Sequence, residues 1–221
     1  MAARHSTRRF PKIEGKALAG IAAFAVFLML GFRIWSVNQS QLNIPEQHFS
    51  MQTDVELAGD FIFDNQENTA GYSVRVDAAE LMDASDYIKR YGHVAAGDRD
   101  ASDVENGDVL VLTYTVTNRD NQSGWLDMVM LMAVGSSKNS LYKVDGNLWK
   151  IAEPSLENTS ALILTPNSTY TTHVPMSFST GPDLYESTLD EQTYRRSSIR
   201  DRSFLLYVSN APTRKVIEIQ L

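Results

Sequence analysis

The chain has 221 residues, with 20 Lys and Arg against 27 Asp and Glu, a formal net charge of −7 and no cysteine. Residues 1–36 carry +5 and residues 37–221 carry −12, which excludes the phosphate-neutralising surface of a nucleic-acid binder from the larger part. The missing cysteine excludes disulfides, a thiolate nucleophile and an acylated lipoprotein cysteine.

In chain order, the first element is a basic head, residues 1–16, with Arg4, Arg8, Arg9, Lys12 and Lys16 against Glu14. The uncharged run ALAGIAAFAVFLMLGF follows at 17–32. Crossing a bilayer takes roughly 20 apolar residues, so the span is expected over 17–37, with Lys16 and Arg33 snorkelling and Trp35 at the interface. The charge bias predicts a cytoplasmic N-terminus and an extracytoplasmic C-terminal part. A cleaved signal peptide is the alternative, but no small-x-small site follows Leu30. Residues 38–52 read as a polar linker.

From residue 53 onward the dominant signal is period-two alternation. Val55, Leu57, Phe61 and Phe63 alternate, then Tyr72, Val74 and Val76 against Arg75 and Asp77. Residues 84–91 predict a short helix with Ser85 as cap, an Asp86/Arg90 pair and Gly92 as stop. Residues 109–118 form an apolar/Thr-faced strand, and 125–134 read as one central strand. Weaker strands are expected at 141–144, 148–151 and 161–165. In 169–178, Tyr170, Thr172, Val174, Met176 and Phe178 share a face, His173 lies on the wet face, and Pro175 predicts an edge or a bulge. A second helix is expected over 183–196, and strands at 204–208 and 217–221 close the chain. Eight or nine short strands with one or two helices predict a mainly β protein, an antiparallel β-sandwich over 53–221.

The acidic stretch 97–108 holds Asp98, Asp100, Asp103, Glu105 and Asp108, oxygen ligands of the kind calcium takes. It lacks EF-hand spacing, and a solvated loop is the plainer reading. The four histidines show no ligand spacing. No nucleophile elbow, S-x-x-K or phosphate-binding glycine loop occurs, so neither catalytic residue nor cofactor is expected. Arg195, Arg196, Arg200 and Arg202 concentrate positive charge suited to carboxylate or phosphate groups, unless Asp190, Glu191 and Asp201 neutralise them. Trp125 and Trp149, with Tyr142, form either a binding platform or core.

Together, GDVLVLTYTVTN (107–118), GYSVRVDAAELMDASDYIKRYG (71–92) and the closing FLLYVSN and RKVIEIQL resemble small exported or anchored immunoglobulin-like domains of unknown function from Gram-positive bacteria, several described as telokin-like. That resemblance implies an immunoglobulin-like sandwich and carries over no catalytic residue. The expected function is a non-catalytic, membrane-anchored module of the cell envelope that binds a protein or cell-wall polymer. The alternatives are an accessory subunit recognised through its transmembrane helix and, after it, an envelope enzyme.

Overall fold

The computed structural model describes residues 15–39, 44–93, 107–137, 140–154, 161–178 and 198–221. Two compact units divide between Asn43 and Ile44. The first contains α1 (Gly15–Gln39), whose side chains are described from Phe24 to Ser36 and are exposed throughout, with the Phe32 and Trp35 rings 5.7 Å apart. Among the described residues no helix is long and apolar enough to cross a membrane.

The second unit is mainly β. Its elements are β1 (Glu46–Ser50), β2 (Val55–Glu56), β3 (Tyr72–Asp83), α2 (Ala84–Tyr91), β4 (Asp108–Asn118), β5 (Leu126–Asp127), β6 (Met132–Gly135), β7 (Leu141–Val144), α3 (Gly146–Ala152), β8 (Ala161–Leu162), β9 (Ser168–Phe178), β10 (Ser203–Ser209) and β11 (Arg214–Gln220). Nine strands form one sheet in the order β1-β11-β10-β6-β7-β9-β4-β3-β2, and β5 pairs with β8 in a small ribbon. Every pair is antiparallel except β1 with β11.

Alternation builds the core as expected for a pleated strand with one buried face. Tyr72, Val74 and Val76 of β3 meet Leu110, Leu112, Tyr114 and Val116 of β4 inside the wrapped sheet. A bulge at Asp77 then shifts the phase, so Ala79 and Leu81 continue the inner face in place of Ala78 and Glu80. The Asp77 carboxylate fixes the bulge, accepting from Arg75 Nε at 2.6 Å and from Thr115 Oγ1 at 2.5 Å. On the opposite face of β4, Val109 and Val111 are covered by Tyr87 and Ile88 of α2 and Leu148 and Ala152 of α3. This layer explains why β4 is apolar on both faces near its start.

Several expectations are corrected. The linker boundary falls earlier, because Glu46–Ser50 is already a strand. Residues 125–134 are not one central strand: β5 and β6 are separate, with a turn between them. Residues 148–151 lie in α3, capped by Asp145, whose Oδ1 accepts from Leu148 N at 3.2 Å. The predicted 84–91 helix stands, but its N-cap is Asp83, Asp86 pairs with Lys89 at 2.9 Å, and Arg90 pairs with Glu80 at 3.0 Å. Phe63 is exposed rather than inward. Residues 183–196 lie outside the described residues.

Pro175 sits between β7 and β4 rather than on an outer edge. Its carbonyl accepts from Asp145 N at 2.8 Å, just past the end of β7. The N and the carbonyl of a strand residue point the same way, so the missing donor falls where the β7 ladder has stopped.

The two ends of the nine-stranded sheet meet through Lys215 of β11. Its buried ammonium donates to the carbonyls of Glu56 at 2.5 Å and Leu57 at 2.9 Å and lies 2.8 Å from Asp60 Oδ2. All three ammonium protons are thereby used. The turn that presents these oxygens needs left-handed backbone at Ala58 (φ 56°) and Gly59 (φ 91°), and Asp60 Oδ1 also accepts from Thr213 N at 3.0 Å. Lys215→Met leaves a buried carboxylate and two carbonyls without their donor, and is expected to cost about 3–5 kcal/mol. In urea unfolding of the purified protein, the double variant Lys215→Met/Asp60→Asn should lose clearly less than the sum of the single losses.

Candidate interaction surface

The outer face of β10, β6 and β7 is the complement of the core. Ala133, Tyr142 and Leu206 point inward, so the strand period turns Met132, Val134, Leu141 and Tyr207 outward. Register brings them together: Tyr207 pairs with Met132, and Val134 pairs with Leu141. With Asn210 and Arg214 they line an open groove of about 230 Å³.

Arg214 gives this apolar groove its charged group. Its guanidinium lies 5.8 Å from the centre of the Tyr207 ring, and its Nη1 reaches Glu46 Oε2 at 3.3 Å. Its Nε is buried and has no hydrogen-bond partner among the described residues. Asn210 is tied down by donating from Nδ2 to Ile62 O at 2.7 Å. The groove can therefore seat an apolar side chain beside the partly exposed Arg214 guanidinium, whose accessible N–H groups can donate to a carbonyl or carboxylate oxygen. Met, Tyr and Arg are also the side chains enriched where proteins recognise one another.

The rim is titratable. His48 of β1 bonds Glu46 Oε1 through Nε2 at 2.8 Å and Glu218 Oε1 through Nδ1 at 2.9 Å. Glu46, then Glu218, raise the imidazole pKa, while His48 and Arg214 hold the Glu46 carboxyl below its ordinary value despite the opposing desolvation.

The residues singled out from sequence are dispersed. Asp98, Asp100, Asp103 and Glu105 lie outside the described residues. Asp108 spends Oδ2 on Ile199 N at 2.9 Å, and among the described residues no group of three or more His, Cys, Asp or Glu could hold a metal. Arg195 and Arg196 also lie outside the described residues, while Arg200 and Arg202 are exposed. Asp201 turns inward, away from any arginine cluster. It accepts from Tyr142 OH at 2.7 Å, Ser136 Oγ at 3.0 Å and Ser137 N at 3.1 Å. Burial opposes the charge on Asp201, but these bonds outweigh it and hold the carboxyl below its usual range.

Trp149 is core and donates from Nε1 to Thr172 Oγ1 at 3.2 Å, whereas Trp125 is half-exposed beside β5. His173 is half-buried, stacked 3.9 Å from the Tyr91 ring, and desolvation followed by Arg90 lowers its pKa. The face expected to be wet is thus partly roofed by α2. Lys16 lies among residues whose side chains are not described, and Arg33 and Trp35 are exposed.

The sign of the His48 effect follows from its raised pKa. Its support for β1 is complete below the ordinary histidine value of 6.5 and is lost as pH rises through the raised one. His48→Gln should therefore flatten the fall in β1 stability as pH rises above about 6.5, read by amide exchange of Phe49 corrected for intrinsic rates.

No curated protein and no solved structure matches the chain. Residues 46–215, from the first residue of β1 to the second of β11, match a domain of unknown function (DUF5028), and the chain belongs to that family.

Proposed function

We propose that the protein is a non-catalytic, membrane-anchored binding module of a bacterial cell envelope, with residues 44–221 extracytoplasmic. The observation that carries the binding role is the groove, where the Arg214 guanidinium borders a half-exposed apolar sheet face. The anchor rests on the uncharged run 17–32 and its basic head. With residues 33–37 the run comes to about the 20 residues that a span needs.

Strand order supports an immunoglobulin-like sandwich. β3, β4 and β9 stand where strands A, B and E would, and β11, β10, β6 and β7 stand where G, F, C and C′ would. In this reading the groove lies on the outer G-F-C-C′ face. A protein segment offering an apolar side chain beside a backbone or side-chain oxygen is the ligand that fits.

Crosslinking and capture from native membranes tests the reading. Tyr207→Ala and Arg214→Gln in the full chain should each weaken recovery of specific partners about tenfold, the effect of removing about 1.4 kcal/mol of contact. Partners retained by both variants, but lost when residues 17–37 are exchanged for an unrelated span, would overturn it in favour of an accessory subunit recognised through its helix.

A further inference from the structure

One end of the domain gathers its exposed apolar side chains. Arg214 N donates to Pro45 O at 2.8 Å, Phe61 N to Ala211 O at 2.7 Å and Asn210 N to Phe61 O at 2.7 Å. These bonds place the start of β1, the 57–64 turn and the β10–β11 turn together at what is here named the leading end. β6 starts opposite Tyr207 near the end of β10, so the turn before Met132 emerges there too. Tyr72, at the start of β3, donates to Gly124 O at 3.0 Å and accepts from Leu164 N at 3.2 Å, which brings in the β5–β8 ribbon.

Among the described residues of 44–221, the large apolar side chains exposed by a third or more are Phe63 (66%), Val129 (36%), Met130 (40%), Ile163 (72%) and the final Leu221. All but Leu221 lie at the leading end, and half-exposed Trp125 is there with them. Buried Glu67 knits these turns, accepting from Phe63 N at 2.8 Å, Asp64 N at 3.0 Å and Asp127 N at 3.4 Å. Of the carboxylates of this end, Asp60 serves Lys215, Glu67 serves backbone donors and Asp127 is buried, while the exposed Glu46 and Glu56 are paired with Arg214 and Arg119. Asn65, Gln66, Asn68, Gln122 and Ser123 supply an uncharged surface between the apolar groups, with Asp64 and Asp120 at its margin. In a domain of charge −12 this end is the one suited to a low-dielectric neighbour.

Chain length identifies that neighbour. Residues 40–43 alone connect Gln39 to Ile44, and those five Cα–Cα steps reach at most about 18 Å. We propose that the leading end, through Phe63, Trp125, Val129, Met130 and Ile163, docks into the interfacial layer of the bilayer that carries the anchor. This rests on the anchor reading above, in which Ile44 follows the last residue of the helix by only five positions. Aromatic and aliphatic side chains on a weakly charged surface are what that layer accepts.

The chain has no cysteine, so single labels report cleanly. Phe63→Cys, Ile163→Cys and, on α2 away from the leading end, Lys89→Cys would each carry a polarity-sensitive fluorophore in the full chain, reconstituted into phosphatidylcholine vesicles. Labels at 63 and 163 should shift to the blue and be quenched about twofold or more by spin-labelled lipid, with the label at 89 unchanged. A chain that floats with vesicles and resists alkaline extraction, yet keeps all three labels aqueous, overturns docking and leaves the anchor standing. A chain that fails to float overturns both. Shielding of 63 and 163 only when native membrane proteins are added would also overturn lipid docking, in favour of a protein partner at the same end.

Discussion

The closure of the second unit centres on one buried ammonium group, that of Lys215. Lys215 takes two carbonyls and a carboxylate from the end of β2 and the turn after it, and with the Phe61–Ala211 bridge and the Thr213–Asp60 bond it joins the two ends of the sheet. Burying a charge is tolerable only where every proton is matched. The left-handed turn at Ala58 and Gly59 exists to provide that match. The inner face is sealed by this closure, and the outer groove and the leading end are positioned by it. Arg214, beside Lys215 in sequence, points to the opposite face. One pair of adjacent residues in β11 thus supplies both the closure and the groove's charged donor.

Polar side chains inside the fold mostly replace missing backbone partners. Asn118 donates to Asn121 O and Leu164 O at 2.8 and 2.7 Å and accepts from Asn121 N at 2.8 Å. Asn121 in turn donates to the carbonyls of Asn68 and Ala70 and accepts from Ser123 N and Gly124 N. Together with Glu67, these amides satisfy loop backbone that no ladder reaches. The turns of the leading end are held by this saturation together with the burial of Ile62, Leu126, Met128, Leu131 and Leu162 in the core.

What could be read from sequence was the strand period where one face is buried. Tyr72–Val76, 109–118 and 169–178 were legible because alternation and burial agree, and the 84–91 helix because Gly92 stops it. Residues 125–134 misled because apolar residues on both faces of a short stretch look the same in one strand or in two joined by a turn. Residues 148–151 misled because Leu148, Trp149 and Ile151 fit either period over so short a span. β1 was hidden by its polar composition, EQHFS, since an edge strand facing solvent carries little hydrophobic signal. The groove was illegible for a related reason. Met132, Val134, Leu141 and Tyr207 come from separate strands, and only the register makes them neighbours, whereas the arginine and aspartate clusters stood out in sequence because their members are adjacent there.

The parallel pairing of β1 with β11 sets a mechanical path. Any tension transmitted through the chain before Ile44 enters the domain at Glu46, the first of five residues paired from Arg214 to Glu218. Pulled along the strand axis, the ladder is loaded in shear and its bonds resist together; pulled sideways, it peels from the Glu46–Arg214 pair inward. Peeling would take Glu46 away from Arg214 before disturbing Lys215 or the closed sheet behind it. β1 is therefore the fuse of the domain, and the first group its release would unmask is the guanidinium of the groove.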